Sequence, residues 1–288
     1  MARFVSIVFT AIAAVAQASA GEPAADASAP ADAALAADAA FAARAAERGQ
    51  RAAFEEVLAP DGILFRPGPV RGHEWMDTHE GGDGRLAWSP AAAIADCAGR
   101  LVVTTGPWTY ATAEGSVVAT GDYLSIWQPG ADGGWELVLD NGVDHPARDD
   151  AATVLAAAYA ALPSPATPRE CARRDRAPAL GEVDDRLNAA IHDEGLGRAL
   201  SDVAARSAVA YRDDAAIATL PVETDAAFAA GTAARRDYAS DGSSDLGYTY
   251  GTIEAAGGGP KAAYVRVWRR EGRHWSLVID LRSPMDGA

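Results

Sequence analysis

Cysteine, basic residues and long apolar runs are all scarce in this 288-residue chain. After the first twenty residues no stretch is long and apolar enough to cross a bilayer as a helix, which takes roughly 20 residues. Lys and Arg number 25 against 40 Asp and Glu, a formal net charge of −15. That excess of negative charge disfavours nucleic acid and anionic lipid, both polyanions. No phosphate-cradling loop is present, because Gly257-Gly258-Gly259 before Pro260 reads as a flexible turn. His73-Glu74 and His79-Glu80 match neither H-E-x-x-H nor a Cys/His ligand set, so no metal or cofactor is expected. No Ser or Cys stands in a recognisable nucleophile setting. The two cysteines, Cys97 and Cys171, leave two readings open: one intramolecular bridge in an oxidising compartment, or two free thiols.

What is present begins with an export signal. Arg3 supplies a charged start, residues 4–16 an apolar run and Ala18-Ser19-Ala20 an A-x-A cleavage site. Cleavage near Ala20 gives a periplasmic or secreted chain with no membrane insertion and a net charge of −16. Residues 21–31, rich in Ala, Pro and Asp, read as a disordered leader.

Helical periodicity follows over residues 32–49, capped by Asp32 and carrying Leu35 and Phe41, and again over 51–58. A short strand at 62–66 is closed by Pro67-Gly68-Pro69, and 70–78 reads as a third short helix with Trp75 on its apolar side. From Leu86 the period becomes two, with strands at 86–95, 101–113, 121–128 and 135–141. Pro90 makes the first of these an edge or irregular strand. In the last, alternation puts Trp135, Leu137 and Leu139 on one face and Asp140 on the other, away from the main apolar side unless a bulge intervenes. A helix over 149–162 leads into a Pro-rich exposed linker.

The C-terminal third then repeats this order. Trp127 recurs as Trp268, Trp135 as Trp275 and Asp140 as Asp280, at offsets of 140 or 141, and Pro107-Trp108-Thr109-Tyr110 is matched to Gly247-Tyr248-Thr249-Tyr250. Phe65-Arg66 matches Tyr211-Arg212. Two copies of one domain are therefore expected: residues 32–147, a helix and linker over 148–182, and residues 183–288.

The run Phe65-Arg66-Pro67-Gly68-Pro69-Val70, Thr104-Thr105-Gly106-Pro107-Trp108, Gly121-Asp122-Tyr123 with Trp127, and Trp135 to Asp140 followed by His145-Pro146 resembles the nuclear transport factor 2-like superfamily. It comes nearest to uncharacterised exported bacterial proteins of SnoaL-like type. The resemblance covers residues 31–147 well and 183–288 more loosely. It implies an α+β fold of two tandem cone-shaped domains, each with N-terminal helices packed on a curved antiparallel sheet around a cavity. It also implies a choice between ligand binding and the isomerase, cyclase or dehydratase chemistry of ketosteroid isomerase, scytalone dehydratase and polyketide cyclases. None of those enzymes' motifs stands here position by position.

Candidate residues follow from the repeat. Trp108, Tyr110, Tyr123, Tyr248, Tyr250 and Tyr264 are pocket-lining candidates for a planar or apolar ligand, although aromatic stripes at strand spacing also build cores. Trp127, Trp135, Trp268 and Trp275 are read as core. Asp140 and Asp280 are general-base candidates, but the repeated Arg66 and Arg212 favour structural ion pairs Arg66–Asp140 and Arg212–Asp280 instead. Asp144-His145 offers an acid/base dyad that the second copy lacks. The leading expectation is non-catalytic binding of a small apolar or aromatic molecule, or of a protein partner. The enzyme reading stands as the rival. The sheet faces are expected to pair as an intramolecular pseudo-dimer or between two chains.

Overall fold

The computed structural model describes residues 29–171, 178–220, 232–239, 244–254 and 260–285. The export signal, the leader up to residue 28 and the glycine run at 257–259 lie outside the described residues.

The first half opens with α1 (Ala29–Arg48) and α2 (Gln50–Val57). Helix α1 starts three residues before Asp32, inside the segment expected to be leader. Gly49 joins the helices at φ +90, where a side chain would be strained. Then come β1 (Leu58–Phe65), β2 (Pro69–Arg71), α3 (Gly72–Thr78), β3 (Arg85–Trp88), β4 (Ala92–Ala95), β5 (Val102–Ala111), β6 (Val117–Pro129) and β7 (Trp135–Asp144). Residues 86–95, expected as one strand, are split at Ser89-Pro90-Ala91 into β3 and β4, because proline cannot donate to the ladder. Helices α4 (Ala151–Ala160) and α5 (Pro168–Cys171) occupy the connection. Here Cys171 is disulfide-bonded to Cys97 across a Cα–Cα distance of 5.9 Å.

The second half runs α6 (Leu180–Glu194), α7 (Leu196–Val203), β8 (Ala204–Arg212), β9 (Ala215–Thr219), β10 (Thr232–Ala239), β11 (Leu246–Glu254), β12 (Pro260–Glu271) and β13 (His274–Pro284). Gly195, at φ +86, joins α6 to α7 as Gly49 joins α1 to α2. Strands β9 and β10 had no sequence signal.

The first sheet has strand order β2-β1-β7-β6-β5-β3, with β4 also on β5, and the second β10-β11-β12-β13-β8-β9. In each, the first long strand pairs in parallel with the last: Leu58 opposite Leu137 and Leu64 opposite Asp140; Ala204 opposite Leu277 and Ala210 opposite Asp280. The sheets are antiparallel, as expected, except for this one parallel pair in each. A parallel pairing needs a long crossover and leaves no local trace in sequence.

Each half packs helices on one face of its sheet. Phe41, Phe54, Met76, Trp127 and Leu137 share the core of the first, and Leu187, Leu200, Trp268 and Leu277 that of the second. Trp127 and Trp268 are fully buried, while Trp135 and Trp275 pack at the core margins. The other faces of the two sheets meet in a third core joining Phe65, Leu124, Ile126 and Leu139 to Val209, Tyr211, Val265 and Val267, with Leu155 and Tyr159 of α4. Polar contacts cross this layer: the Tyr211 hydroxyl donates to the Tyr159 hydroxyl at 3.0 Å and shares a 2.9 Å hydrogen bond with Thr105 Oγ1. Asn141 Nδ2 donates to Ser283 Oγ at 3.2 Å. Among the described residues no helix is long and apolar enough to cross a membrane.

Candidate functional site

The helix-facing side of β6 presents Tyr123, Ser125 and Trp127 by simple alternation. Strand β7 departs from it. Ile126 pairs with Leu139 and Trp127 with Leu137, so Val138 is an extra residue, a β-bulge. The bulge turns Val138 and Leu139 to the inter-sheet core and returns Asp140 to the side of Leu137. Uninterrupted alternation would have sent the Asp140 carboxylate the other way. The structure places it opposite Ser125, whose Oγ donates to Asp140 Oδ1 at 2.6 Å.

Asp140 borders a cavity of about 360 Å³ between helices and sheet. Phe41, Phe54, Trp88, Trp108, Tyr110 and Tyr123 give the lining its aromatic character, and Arg66, Ser125 and Asp140 its polar end. Trp108 fits because two glycines lie beneath its indole: a Cβ on Gly121 would stand 2.9 Å, and one on Gly142 3.2 Å, from Nε1. A larger vestibule, about 980 Å³, adjoins it through Phe54, Arg66 and Tyr110 and runs beneath the glycine-rich segment 80–84. Burial raises the Asp140 carboxyl to about 6, against the lowering pull of the Ser125 hydrogen bond and Arg66. That carboxyl can hold or release a proton near neutral pH.

Behind the cavity Asp38, from α1, is fully buried and accepts three hydrogen bonds: Trp88 Nε1 at 2.9 Å, Thr104 Oγ1 at 2.7 Å and the Tyr123 hydroxyl at 2.8 Å. Burial raises its pKa, opposed by those three donors. Burial, and then the Asp38 charge, hold the Tyr123 phenol well above its usual value.

The second half repeats this frame and fills its interior. Asp184 accepts from Thr249 Oγ1 at 3.0 Å and from the Tyr264 hydroxyl at 2.8 Å; Trp268 Nε1 donates to Thr249 as Trp127 Nε1 donates to Thr104. Where Ser125 pairs with Asp140, however, Arg266 pairs with Asp280. Arg266 is fully buried, 2.7 Å from Asp184 and 3.2 Å from Asp280, with its guanidinium 4.2 Å from the Tyr264 ring centre. Arg212 and Arg282 reach Asp280 at 2.6 and 3.0 Å. Burial alone would raise Asp280, but Arg282, Arg212 and Arg266 hold it far below the usual carboxylate range.

Several expectations are corrected. The ion pair Arg212–Asp280 forms, whereas Arg66 and Asp140 attract each other from beyond contact distance. The shared Thr–Trp hydrogen bond matches Thr104 with Thr249, an offset of 145, so pairing Trp108 and Tyr110 with Tyr248 and Tyr250 is five residues out of step. Tyr248 and Tyr250 face the inter-sheet core, where Tyr250 meets Phe65 at 6.3 Å, and border neither the cavity nor the vestibule. Tyr264 faces the helices but is engaged by Asp184 and Asn188. Trp108, Tyr110 and Tyr123 do line the cavity. His145 pairs with Asp122 at 3.0 Å, rather than with its neighbour Asp144, and both are buried at the edge of the inter-sheet layer. His73 contacts the Leu58 carbonyl, and His79 stacks on Trp75 at 4.5 Å. Among the described residues no group of three His, Cys, Asp or Glu is placed to hold a metal.

Asp38 escaped the sequence reading. Its signal was a carboxylate three residues before Phe41 on the apolar stripe of α1, matched by Asp184 three residues before Leu187. The exchange of Ser125 for Arg266 was equally visible, but its meaning depended on the strand register.

No family model and no curated protein matches the chain. Solved structures overlap part of it. A nuclear transport factor 2-like superfamily protein from Salmonella enterica is 14% identical over 40% of this chain and 92% of its own, with a TM-score of 0.31. A protein of the same description from Cytophaga hutchinsonii is 19% identical over 39% and 96%, with a TM-score of 0.32. The Δ5-3-ketosteroid isomerase of a Mycobacterium species is 18% identical over 42% and 96%, with a TM-score of 0.30. Overlaps this slight say nothing of activity or ligand.

Proposed function

We propose that this chain is a tandem of two copies of one nuclear transport factor 2-like domain, residues 32–147 and 183–288, of which the first binds a small, flat, largely apolar molecule and the second is its structural partner. The observation that carries the reading is the exchange of Ser125 for Arg266, with Gly142 for Arg282 beside it, at matching strand positions. Ser125 leaves an aromatic-lined cavity open beside Asp140, and Arg266 closes the corresponding interior with a buried ion network. The cavity's volume falls at the lower end of the roughly 300–1,000 Å³ common for small-molecule sites. The sheet-to-sheet core supports an internal pseudo-dimer. The Cys97–Cys171 disulfide supports export to the periplasm or beyond, where such bonds persist.

The test transplants the plug. 2-Naphthol should raise the melting temperature of the protein by mass action, and Ser125→Arg should abolish that shift while the variant stays folded. A shift that survives Ser125→Arg places the ligand elsewhere and overturns the reading.

A second reading rests on Asp140 itself. A carboxyl at about 6 in a cavity with Tyr110 and Tyr123 suits general acid/base work of the isomerase or dehydratase kind. Under it, deuterium exchange beside the carbonyl of a bound enolisable ketone, followed by NMR, is lost in Asp140→Asn although binding persists. No exchange above the protein-free rate removes this reading.

A further inference from the structure

Among the described residues Arg66 is the one cation bordering both the cavity and the vestibule. Its Nη1 donates to the Phe65 carbonyl at 2.6 Å, and its guanidinium carbon lies 5.6 Å from the Trp75 ring centre and 6.0 Å from that of Phe54. It makes no ion pair with any described residue. The guanidinium has five N–H donors in a planar fork, so most of its hydrogen-bonding capacity is uncommitted. Its counterpart Arg212 is consumed: Nη1 donates to the Tyr211 and Asp280 carbonyls and Nη2 to the Asp280 carboxylate. The guanidinium is half-buried beside two open spaces and has no carboxylate at contact distance, so an incoming anion would gain a charge-assisted hydrogen-bonding partner there.

The vestibule adds an independent observation. Arg48, Arg51, Arg66 and Arg85 line it with Glu55, Glu80 and Asp83, four cations against three anions on a chain of net charge −15, and Arg48 is paired with Glu56 at 3.4 Å. Arg51 is committed to Glu55 and to the carbonyls of Met76 and His79, whereas Arg85 makes no ion pair with a described residue. Asp140 shares the polar end of the cavity with Arg66, so an anionic group belongs on the vestibule side of the guanidinium, with an apolar body against Trp108 and Phe41.

We infer that the ligand of the first cavity is an aromatic carboxylic acid bound as its anion, its carboxylate forked onto the Arg66 guanidinium. The inference rests on the binding reading above and names the chemical class of the ligand. Bidentate guanidinium–carboxylate pairing is charge-assisted and geometrically selective, so the acid should exceed its neutral isostere clearly.

Isothermal titration of the full chain with 2-naphthoate and the isosteric 2-naphthamide decides the matter. Wild type should bind the acid at least about tenfold more tightly than the amide, and Arg66→Gln should erase that preference while amide binding persists. Arg66→Lys should keep part of it. Equal binding of acid and amide by wild type, or a preference that survives Arg66→Gln, overturns the inference and leaves the cavity reading intact. Binding of neither compound overturns both. If Arg66→Gln fails to fold, the comparison on wild type alone still decides.

Discussion

Position 125 of the first half carries a serine and the matching position 266 of the second an arginine; a set of buried hydrogen bonds around them is shared, while Gly142 is matched by Arg282. Both halves keep a buried aspartate on the first helix, a threonine joining it to a tryptophan, a tyrosine donating to it, and a bulge that turns the last strand's aspartate inward. Within this shared frame, Arg266 and Arg282 fill with a salt-bridge network what Ser125 and Gly142 leave as a cavity. The same aspartate is a proton-holding group beside Ser125 and a permanently ionised one among three arginines.

The sharpest way to break the comparison is to remove the carboxylates one at a time. Asp280→Asn strands Arg212, Arg266 and Arg282 without their shared partner, and should destabilise by about 3–5 kcal/mol or prevent folding, as read by urea denaturation. Asp140→Asn should be neutral or stabilising at pH 7. Equal losses at both positions would show that the two halves are alike after all.

Next in size is a pH effect. The folded Asp140 carboxyl sits near 6, above the unfolded value of about 3.9, so between those values the folded state binds the extra proton. Its contribution is present at low pH and is lost as pH rises toward and past 6. Relative to wild type, Asp140→Asn should therefore gain stability over pH 4 to 7, on the order of 2 kcal/mol. Asp213, raised to about 6 mainly by burial, titrates in the same window in both proteins and cancels in the difference. A flat difference would place Asp140 in ordinary solvent. The smallest effect concerns the layer that joins the halves: Tyr211→Phe removes the hydroxyl between Tyr159 and Thr105 and should cost about 1 kcal/mol without altering ligand binding.

Much of the architecture was legible because residues needed by the frame recur. Trp127 with Trp268, Arg66 with Arg212 and Asp140 with Asp280 mark equivalent places in two α+β units, and the core tryptophans are where burial demands them. The direction of Asp140 was not legible. Alternation along β7 is a reliable guide only until a bulge adds a residue, and with apolar side chains on both faces nothing in the pattern marks Val138 as the extra one. The false match of Tyr248 and Tyr250 to Trp108 and Tyr110 has the same origin. Similar aromatics at strand spacing fix no register, whereas the hydrogen bonds from Trp127 and Trp268 do. The recurrence of Arg66 with Asp140 as Arg212 with Asp280 predicts an ion pair in each half; that the first pair stands beyond contact is a matter of tertiary distance. His145 likewise found Asp122 across the sheet, a pairing no local motif encodes.

The difference between the halves is most directly measured by the side-chain carboxyl ¹³C shifts of Asp140 and Asp280, followed by NMR over the pH range in which the protein stays folded. Asp140 should titrate near 6 and Asp280 should show no inflection down to acid unfolding. Two carboxyls moving together, or an Asp140 inflection near the ordinary value of about 3.9, would contradict the assignment of an open, proton-holding site to the first half alone.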